Sequence, residues 1–392
     1  MTTHTRSIPI SRPDFGPDEA AAVIKPLESG WVVQGPFTRE FEERFAAYVG
    51  SPHAAASSSC TTALHLALAA LGVGPGDEVI VPAFTWIATA NAVEYQGAKP
   101  VFADIDLHSY NIDPARIESL ISPRTVGIIP VHLFGLCADM AEVLRIARAN
   151  DLWVVEDAAC AFGARYHGRH AGVFGDAACF SFHPRKSITT GEGGMVTTPN
   201  ADLDRTVRSL RDHGAVTSDL ERHTTGLGLL TDFPHLGFNY RMTDIQAALG
   251  CAQLGRADEI LARRRAAARG YASALDGVSW LRVPSTPVGY EHGFQSYVTL
   301  FAPREPTMQA LPGLHDERNA LMSRLQERGI ATRQGTHAPV LLSFYSQRYG
   351  LRPEDYPMAT IADRLSLALP LYSGMSESDV AYVADSIRSS GA

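Results

Sequence analysis

No stretch of this 392-residue sequence approaches the ~20 consecutive apolar residues that a membrane-spanning helix needs. Its first residues, M-T-T-H-T-R-S-I-P-I, also lack an apolar core of signal-peptide length. Cysteine is scarce: the five residues Cys60, Cys137, Cys160, Cys179 and Cys251 are an odd number and form no C-x-x-C pair. They read as reduced, mostly buried thiols, which points to a cytoplasmic protein. Clusters of Lys and Arg are missing, and the formal net charge is -8, so neither a nucleic-acid nor a membrane partner is expected. An anionic substrate would therefore need a local positive pocket. Internal repeats and low-complexity segments are absent as well. What remains, 45% hydrophobic and 19% charged residues, describes an ordinary globular chain whose length makes two domains natural.

What is present is an alternation. Residues 1–50 read as an irregular arm punctuated by Pro and Gly, followed by a helix from about Thr38 to Tyr48. From Thr61 onward, helices and apolar strands take turns. T-T-A-L-H-L-A-L-A-A-L precedes the strand D-E-V-I-V-P, and T-W-I-A-T-A-N-A-V precedes K-P-V-F-A-D-I-D. A helix at Ala115–Ile121 pairs with a strand at Val126–Val131, and Met140–Asn150 with Leu152–Glu156. This rhythm predicts βαβ units, hence an α/β fold with a mostly parallel central sheet sandwiched by helices. A helix at Ala201–His213 and a loop at Thr224–Leu236 follow. One long helical stretch, Asp244–Leu275, then leads out of this large domain. A strand at Ser296–Phe301, a helix at Glu317–Arg328 and a final helix capped by Ser376 and Asp379 suggest a smaller C-terminal α/β domain. The expected division is 1–265 and 266–392.

The chain is organised around F-S-F-H-P-R-K-S-I-T-T-G-E-G-G-M-V-T-T, residues 180–198. Lys186 sits there on a polar, glycine-rich turn between two strand-like apolar runs. A lysine held against protein can lose its proton at modest cost and become an imine-forming nucleophile; otherwise it is a solvated surface residue. L-W-V-V-E-D ends in Asp157, where an open parallel sheet binds its ligands. An ionised carboxylate there can keep a ring nitrogen protonated, as pyridoxal 5'-phosphate (PLP) requires, or it simply caps the next turn. S-S-S-C-T-T opens a helix whose N–H groups suit a phosphate, though Ser and Thr are also ordinary N-caps. Trp86 could cover a flat cofactor or belong to the core, and Ser181 could reach the same phosphate or be a strand hydroxyl. G-V-G-P-G leaves a helix and enters a strand, the wrong order for a dinucleotide loop. His167 and His170 lack acidic or thiol companions at metal spacing, so no metal is expected. A strand-end turn explains Asp104 and Asp106 as well as a D-x-D metal motif does.

Taken together, G-W-V-V-Q-G-P, G-P-G-D-E-V-I-V-P-A-F-T-W-I-A-T-A-N-A-V, V-H-L-F-G, S-F-H-P-R-K-S-I-T-T-G-E-G-G-M-V and N-Y-R-M-T-D-I-Q-A-A-L-G closely resemble the sugar aminotransferases of the DegT/StrS type. These are PLP enzymes of the aspartate-aminotransferase fold, and the resemblance covers nearly the whole chain. It implies that Lys186 is the Schiff-base lysine, Asp157 the partner of the pyridine nitrogen and Trp86 the ring that stacks on the cofactor. Cys60, Thr61, Thr62 and Ser181 fall on phosphate-binding positions. Asn239 falls on an asparagine that reaches the neighbouring subunit's cofactor, which implies a homodimer with shared active sites. Two departures stand out. Cys60 replaces the usual Gly of Ser-Gly-Thr, and Cys160 stands where Gln or His is common near the cofactor's O3′.

The implied function is transfer of an amino group from glutamate or glutamine to a keto-sugar, most naturally a nucleotide-linked one. Arg185 or Arg241 would neutralise a substrate phosphate. His337 lies in R-Q-G-T-H-A-P, a region that helps to shape the substrate pocket. A keto-cyclitol aminotransferase shares these motifs, and a PLP-binding regulator without turnover is the alternative from another class. Relatives that dehydrate sugars carry histidine in place of the lysine, which Lys186 disfavours.

Overall fold

A computed structural model describes residues 6–391, apart from 219, 221, 222 and 224–230. The expected loop at Thr224–Leu236 thus lies partly outside the described residues. Seven strands form the central sheet in the order β1-β9-β8-β5-β4-β2-β3. Their ranges are β1 His53–Ser57, β2 Glu78–Pro82, β3 Lys99–Ala103, β4 Thr125–Ile128, β5 Trp153–Asp157, β8 Ala177–Ser181 and β9 Gly194–Thr198. The strands from β8 to β3 run parallel, while β9 lies antiparallel between β1 and β8. The mostly parallel sheet is therefore present, and its one reversed strand is the return arm of the hairpin that carries Lys186. A minor sheet joins β6 Arg165–Tyr166, β7 Arg169–His170 and β11 Tyr290–Glu291.

Sequence explains these elements locally. β2, E-V-I-V-P, is buried along its whole length, as a strand covered on both faces must be. The helix Cys60–Ala70 starts where the Ser59 hydroxyl accepts the Thr62 N–H, and Ala63 to Leu68 are all buried beneath the sheet's neighbours. At Gly194 a Cβ would lie 2.3 Å from the Ser59 carbonyl oxygen, so only glycine lets β9 touch the start of that helix.

Four expectations need correction. The amino-terminal arm contains a helix, Pro17–Ser29, with Pro at its start and Gly30 in the left-handed region at its end. That Pro/Gly punctuation marks helix ends, not an irregular segment. Ala115–Ile121 is two 3₁₀ turns, Pro114–Arg116 and Glu118–Leu120, too short to gain from cooperative helix growth. The long stretch breaks at Arg256, whose guanidinium binds Asp14 and Glu19, giving Asp244–Gly255 and Ala257–Ala274. The carboxy-terminal helix expected from Glu317 already begins at Leu311. Residue 265, the expected boundary, lies within the helix Ala257–Ala274.

Beyond it, β10 Leu281–Arg282, β12 Tyr297–Phe301 and β13 Ser366–Leu369 form a three-stranded antiparallel sheet. The last helix, Glu377–Ser390, has the expected capping box of Ser376 and Asp379.

Two buried histidines give the fold an acid limit. His170 accepts the Gly163 N–H at 2.9 Å and donates to the Ala171 carbonyl at 2.6 Å, so its neutral form is fully bonded. Burial lowers its pKa from 6.5 to about 4. Burial and the Arg265 charge lower that of His292 to about 3. Folded values below the unfolded one mean that the unfolded chain takes up protons the folded chain refuses. This contribution is complete above pH ~6.5 and drains away as pH falls toward ~4. Thermal unfolding is expected at falling temperature across that window, with a shallower fall in His170→Gln; equal slopes in calorimetry would refute the assignment.

Candidate active site

The carboxyl ends of β2, β4, β5 and β8 open on one side of the sheet, where an α/β fold gathers its ligand contacts. Asp157, the last residue of β5, is buried there. Its Oδ2 accepts the Thr89 hydroxyl at 2.7 Å and its Oδ1 the Ala159 N–H at 3.1 Å. Burial still dominates and pushes the carboxyl pKa up, despite Thr89, Ala159, Lys186 and His132. A buried carboxylate in that condition lacks a counter-charge, and a cationic ring nitrogen beside it would supply one.

Behind Asp157 stands a pair to which no role was assigned from the sequence. His132 and Glu156, both fully buried, meet at 2.7 Å between Nε2 and Oε2. The Ala138 N–H points at His132 Nδ1, so Nδ1 is the acceptor and Nε2 carries the hydrogen donated to Glu156. Glu156 also accepts the N–H groups of Gly172, Phe174 and Gly175, and its pKa is held below the ordinary range against burial. The backbone N–H of His132 in turn binds the Asp157 carbonyl, fixing the strand end. A glutamate inside a buried parallel strand was the available signal, since such a residue needs a partner.

Lys186 is half-buried in the hairpin between β8 and β9, one turn after His183, whose carbonyl accepts its N–H. Its Nζ donates to Cys160 Sγ at 3.2 Å. Its protein surroundings do not favour the ready loss of a proton expected from the sequence. Burial works against the ammonium, but Cys160, Cys60 and Asp157 outweigh it and hold the pKa above the ordinary lysine value.

At the start of the helix Cys60–Ala70, the N–H groups of Cys60 and Thr61 have no partner among the described residues. Such free donors at a helix amino terminus suit an anion. The Thr62 hydroxyl is already engaged by Ser59 and Ser58. Burial pushes the Cys60 thiol well up, with Asp157 adding to the effect. Ser181 ends β8, half-buried, and its Oγ accepts the His183 N–H at 3.4 Å.

Around the rim, Trp86 is 59% exposed and its ring lies 5.8 Å from that of His337. The Thr85 N–H binds the His337 carbonyl, so the 333–339 segment forms a wall beside Trp86. Arg185 is exposed, with its carbonyl bonded to Gln295, and burial together with the Arg333 charge lowers its pKa. Arg241 is paired with Asp212 at 2.5 Å. Asn239 is exposed, its backbone bridged to Asp212.

A sequence model of the DegT/DnrJ/EryC1/StrS aminotransferase family matches residues 13–388. The chain belongs to that family. This aminotransferase is 41% identical to the GDP-perosamine synthase of Caulobacter vibrioides, over 95% of each chain. It is 38% identical to the spore coat polysaccharide biosynthesis protein SpsC of Bacillus subtilis, over 97% of this chain and 96% of that one. Among solved structures it matches the PLP form of the putative sugar aminotransferase Spr1654 of Streptococcus pneumoniae with a TM-score of 0.89, at 30% identity over 98% of each chain. S. venezuelae DesV in complex with a ketimine intermediate matches with a TM-score of 0.87, at 33% identity over 98% of each chain.

The aminotransferase uses PLP, and the site suits it. A buried carboxylate in want of a cation, a primary amine and two free helix N–H groups are complementary to its ring nitrogen, aldehyde and phosphate. Bound there, PLP would supply an electron sink for negative charge developing on the substrate. Among the described residues no helix is long and apolar enough to cross a membrane, and no cluster of His, Cys, Asp and Glu could hold a metal.

Proposed function

We propose that this aminotransferase moves an amino group from glutamate or glutamine to a keto-sugar carried on a nucleotide. The observation that carries the reading is the convergence of Lys186 and Asp157 beside the free amino end of the helix Cys60–Ala70. The names of its relatives, a GDP-perosamine synthase among them, support the sugar. Lys186 would hold the cofactor through its side-chain amine and, when that amine is free, would carry the proton on Nζ to and from the substrate carbon. Asp157, held by Thr89 and seated on the His132–Glu156 pair, keeps the ring nitrogen protonated. The N–H groups of Cys60 and Thr61, with the Ser181 hydroxyl, receive the phosphate, Thr62 joins them only by giving up its bonds to Ser59, and Trp86 covers the ring. Arg185 and His337 flank the substrate. Arg241, tied to Asp212, reaches a substrate phosphate only by exchanging that partner.

The test is a panel of nucleotide-linked keto-sugars and keto-cyclitols, each with glutamate and with glutamine, read by mass spectrometry. Amination of a nucleotide-linked keto-sugar is expected; amination of cyclitols alone would end the reading.

We further propose a homodimer in which Asn239 completes the partner's phosphate site. Exposed Phe15, Ile24, Leu27, Val32 and Val33 offer an apolar surface at the amino-terminal end. Mixing Lys186→Ala chains with Asn239→Ala chains then rebuilds one intact site per mixed dimer. Random pairing makes half the dimers mixed, so activity should recover to roughly a quarter of wild type. No recovery above the separate variants would rule out sharing.

A further inference from the structure

The hydrogen bonds that hold Asp157 do not stop at Thr89. Asp157 Oδ2 receives the Thr89 hydroxyl at 2.7 Å, and the Thr89 oxygen lies 2.9 Å from the hydroxyl of Thr85, four residues earlier. All three side chains are buried. A hydroxyl carries one hydrogen and an ionised carboxylate only accepts, so Thr89 places its hydrogen on Asp157, its nearer and charged acceptor. The competing acceptor, the Trp86 carbonyl, is 3.2 Å from the Thr89 oxygen and already takes the Thr89 N–H. Thr89 therefore accepts from Thr85. Among the described residues, its oxygen is the only acceptor in reach of the Thr85 hydroxyl. The Thr85 N–H is bonded at 3.0 Å to the His337 carbonyl, which anchors Thr85 to the wall of the substrate pocket.

We propose that Thr85 is a positioning residue for Asp157 and acts through Thr89: by filling the Thr89 oxygen it aims the Thr89 hydrogen at Oδ2 and so fixes the carboxylate that faces the cofactor's ring nitrogen. Hydrogen bonds in a row polarise one another, so the donor touching Asp157 is stronger with Thr85 behind it. Without the Thr85 hydroxyl, Thr89 is freer to turn toward the Trp86 carbonyl, and the buried carboxylate then lacks that partner. Valine or serine at position 85 keeps the backbone bond to His337, so such a change isolates the hydroxyl. The role rests on the reading of Asp157 as the ring-nitrogen partner and is independent of which sugar or donor is used.

The test is the affinity of the full, cofactor-free chain for pyridoxamine 5'-phosphate, followed by fluorescence. This probe forms no bond to Lys186, so it reports the hold on ring and phosphate alone. Thr85→Val, nearly the same shape as threonine, should weaken binding by about 3- to 10-fold, and Thr85→Ser should restore it. Inorganic phosphate, used as a competitor, meets only the helix amino terminus and should bind wild type and Thr85→Val equally. In a Thr89→Val chain, adding Thr85→Val should change nothing further, because the link to Asp157 is already gone. Unchanged affinity in Thr85→Val, losses that add in the double variant, or weakened phosphate binding each overturn the proposal. Asp157→Asn in the same assay separates it from the reading beneath it. If Asp157→Asn binds the probe as wild type does, both fall; if it binds weakly while Thr85→Val does not, only the role of Thr85 falls. Should Thr85→Val lose its circular dichroism, Thr85→Ala is judged by the same outcomes.

Discussion

Lys186→Ala is expected to lower turnover by ~10⁴-fold or more, since it removes both the nucleophile and the group that transfers the proton. The fold should survive. Lys186 lies on a hairpin whose closure uses backbone bonds, Phe182 to Gly193 and Thr190 to Phe182, which the substitution leaves intact. The variant should still bind PLP through the helix amino terminus and Asp157, but borohydride should no longer fix the cofactor to the chain. Loss of turnover with retained, non-covalent binding separates a chemical role from a structural one. Full-speed turnover by Lys186→Ala would refute the entire reading of the site.

Asp157→Asn is expected to have opposite effects on stability and on catalysis. In the cofactor-free chain, burial pushes the Asp157 carboxyl up, so its ionised form is disfavoured by folding. A folded pKa above the unfolded one makes its contribution to stability greatest below the ordinary carboxylate range and lost as pH rises through the folded value. At neutral pH the cofactor-free Asn variant should therefore unfold at a temperature equal to or above that of the wild type. Catalysis should move the other way, by roughly 10² to 10³-fold, because an amide cannot hold the ring nitrogen's proton. Calorimetry of the cofactor-free chains beside turnover measurements checks both halves. A variant that is less stable and fully active would refute the role of the charge.

Much of the architecture was legible in the chain. Continuous apolar runs such as V-I-V-P and W-V-V mark strands buried on both faces, and period-3.6 stripes mark the helices between them. Those are local signals, and local chemistry decides them. The family is legible for a related reason, since its motifs fall at strand ends where spacing along the chain is constrained. The amino-terminal helix Pro17–Ser29 was obscured because its Pro and Gly serve equally well as loop and as helix punctuation.

What the sequence alone determined about this protein is its α/β plan, its family and the residues at the strand ends. Only the tertiary structure decided which of those residues share electrostatic surroundings. Thr89 reaches Asp157 across 68 positions, and His132 reaches Glu156 across 24. Asp244, fully buried, caps the helix that follows Gly35 through three backbone N–H groups more than 200 positions away. Arg241 is claimed by Asp212, and the Lys186 amine donates to Cys160 in the turn that follows another strand. The reason is physical: propensity and hydrophobic period act between neighbours in sequence, whereas proton affinity depends on charge and burial within a few ångströms in space.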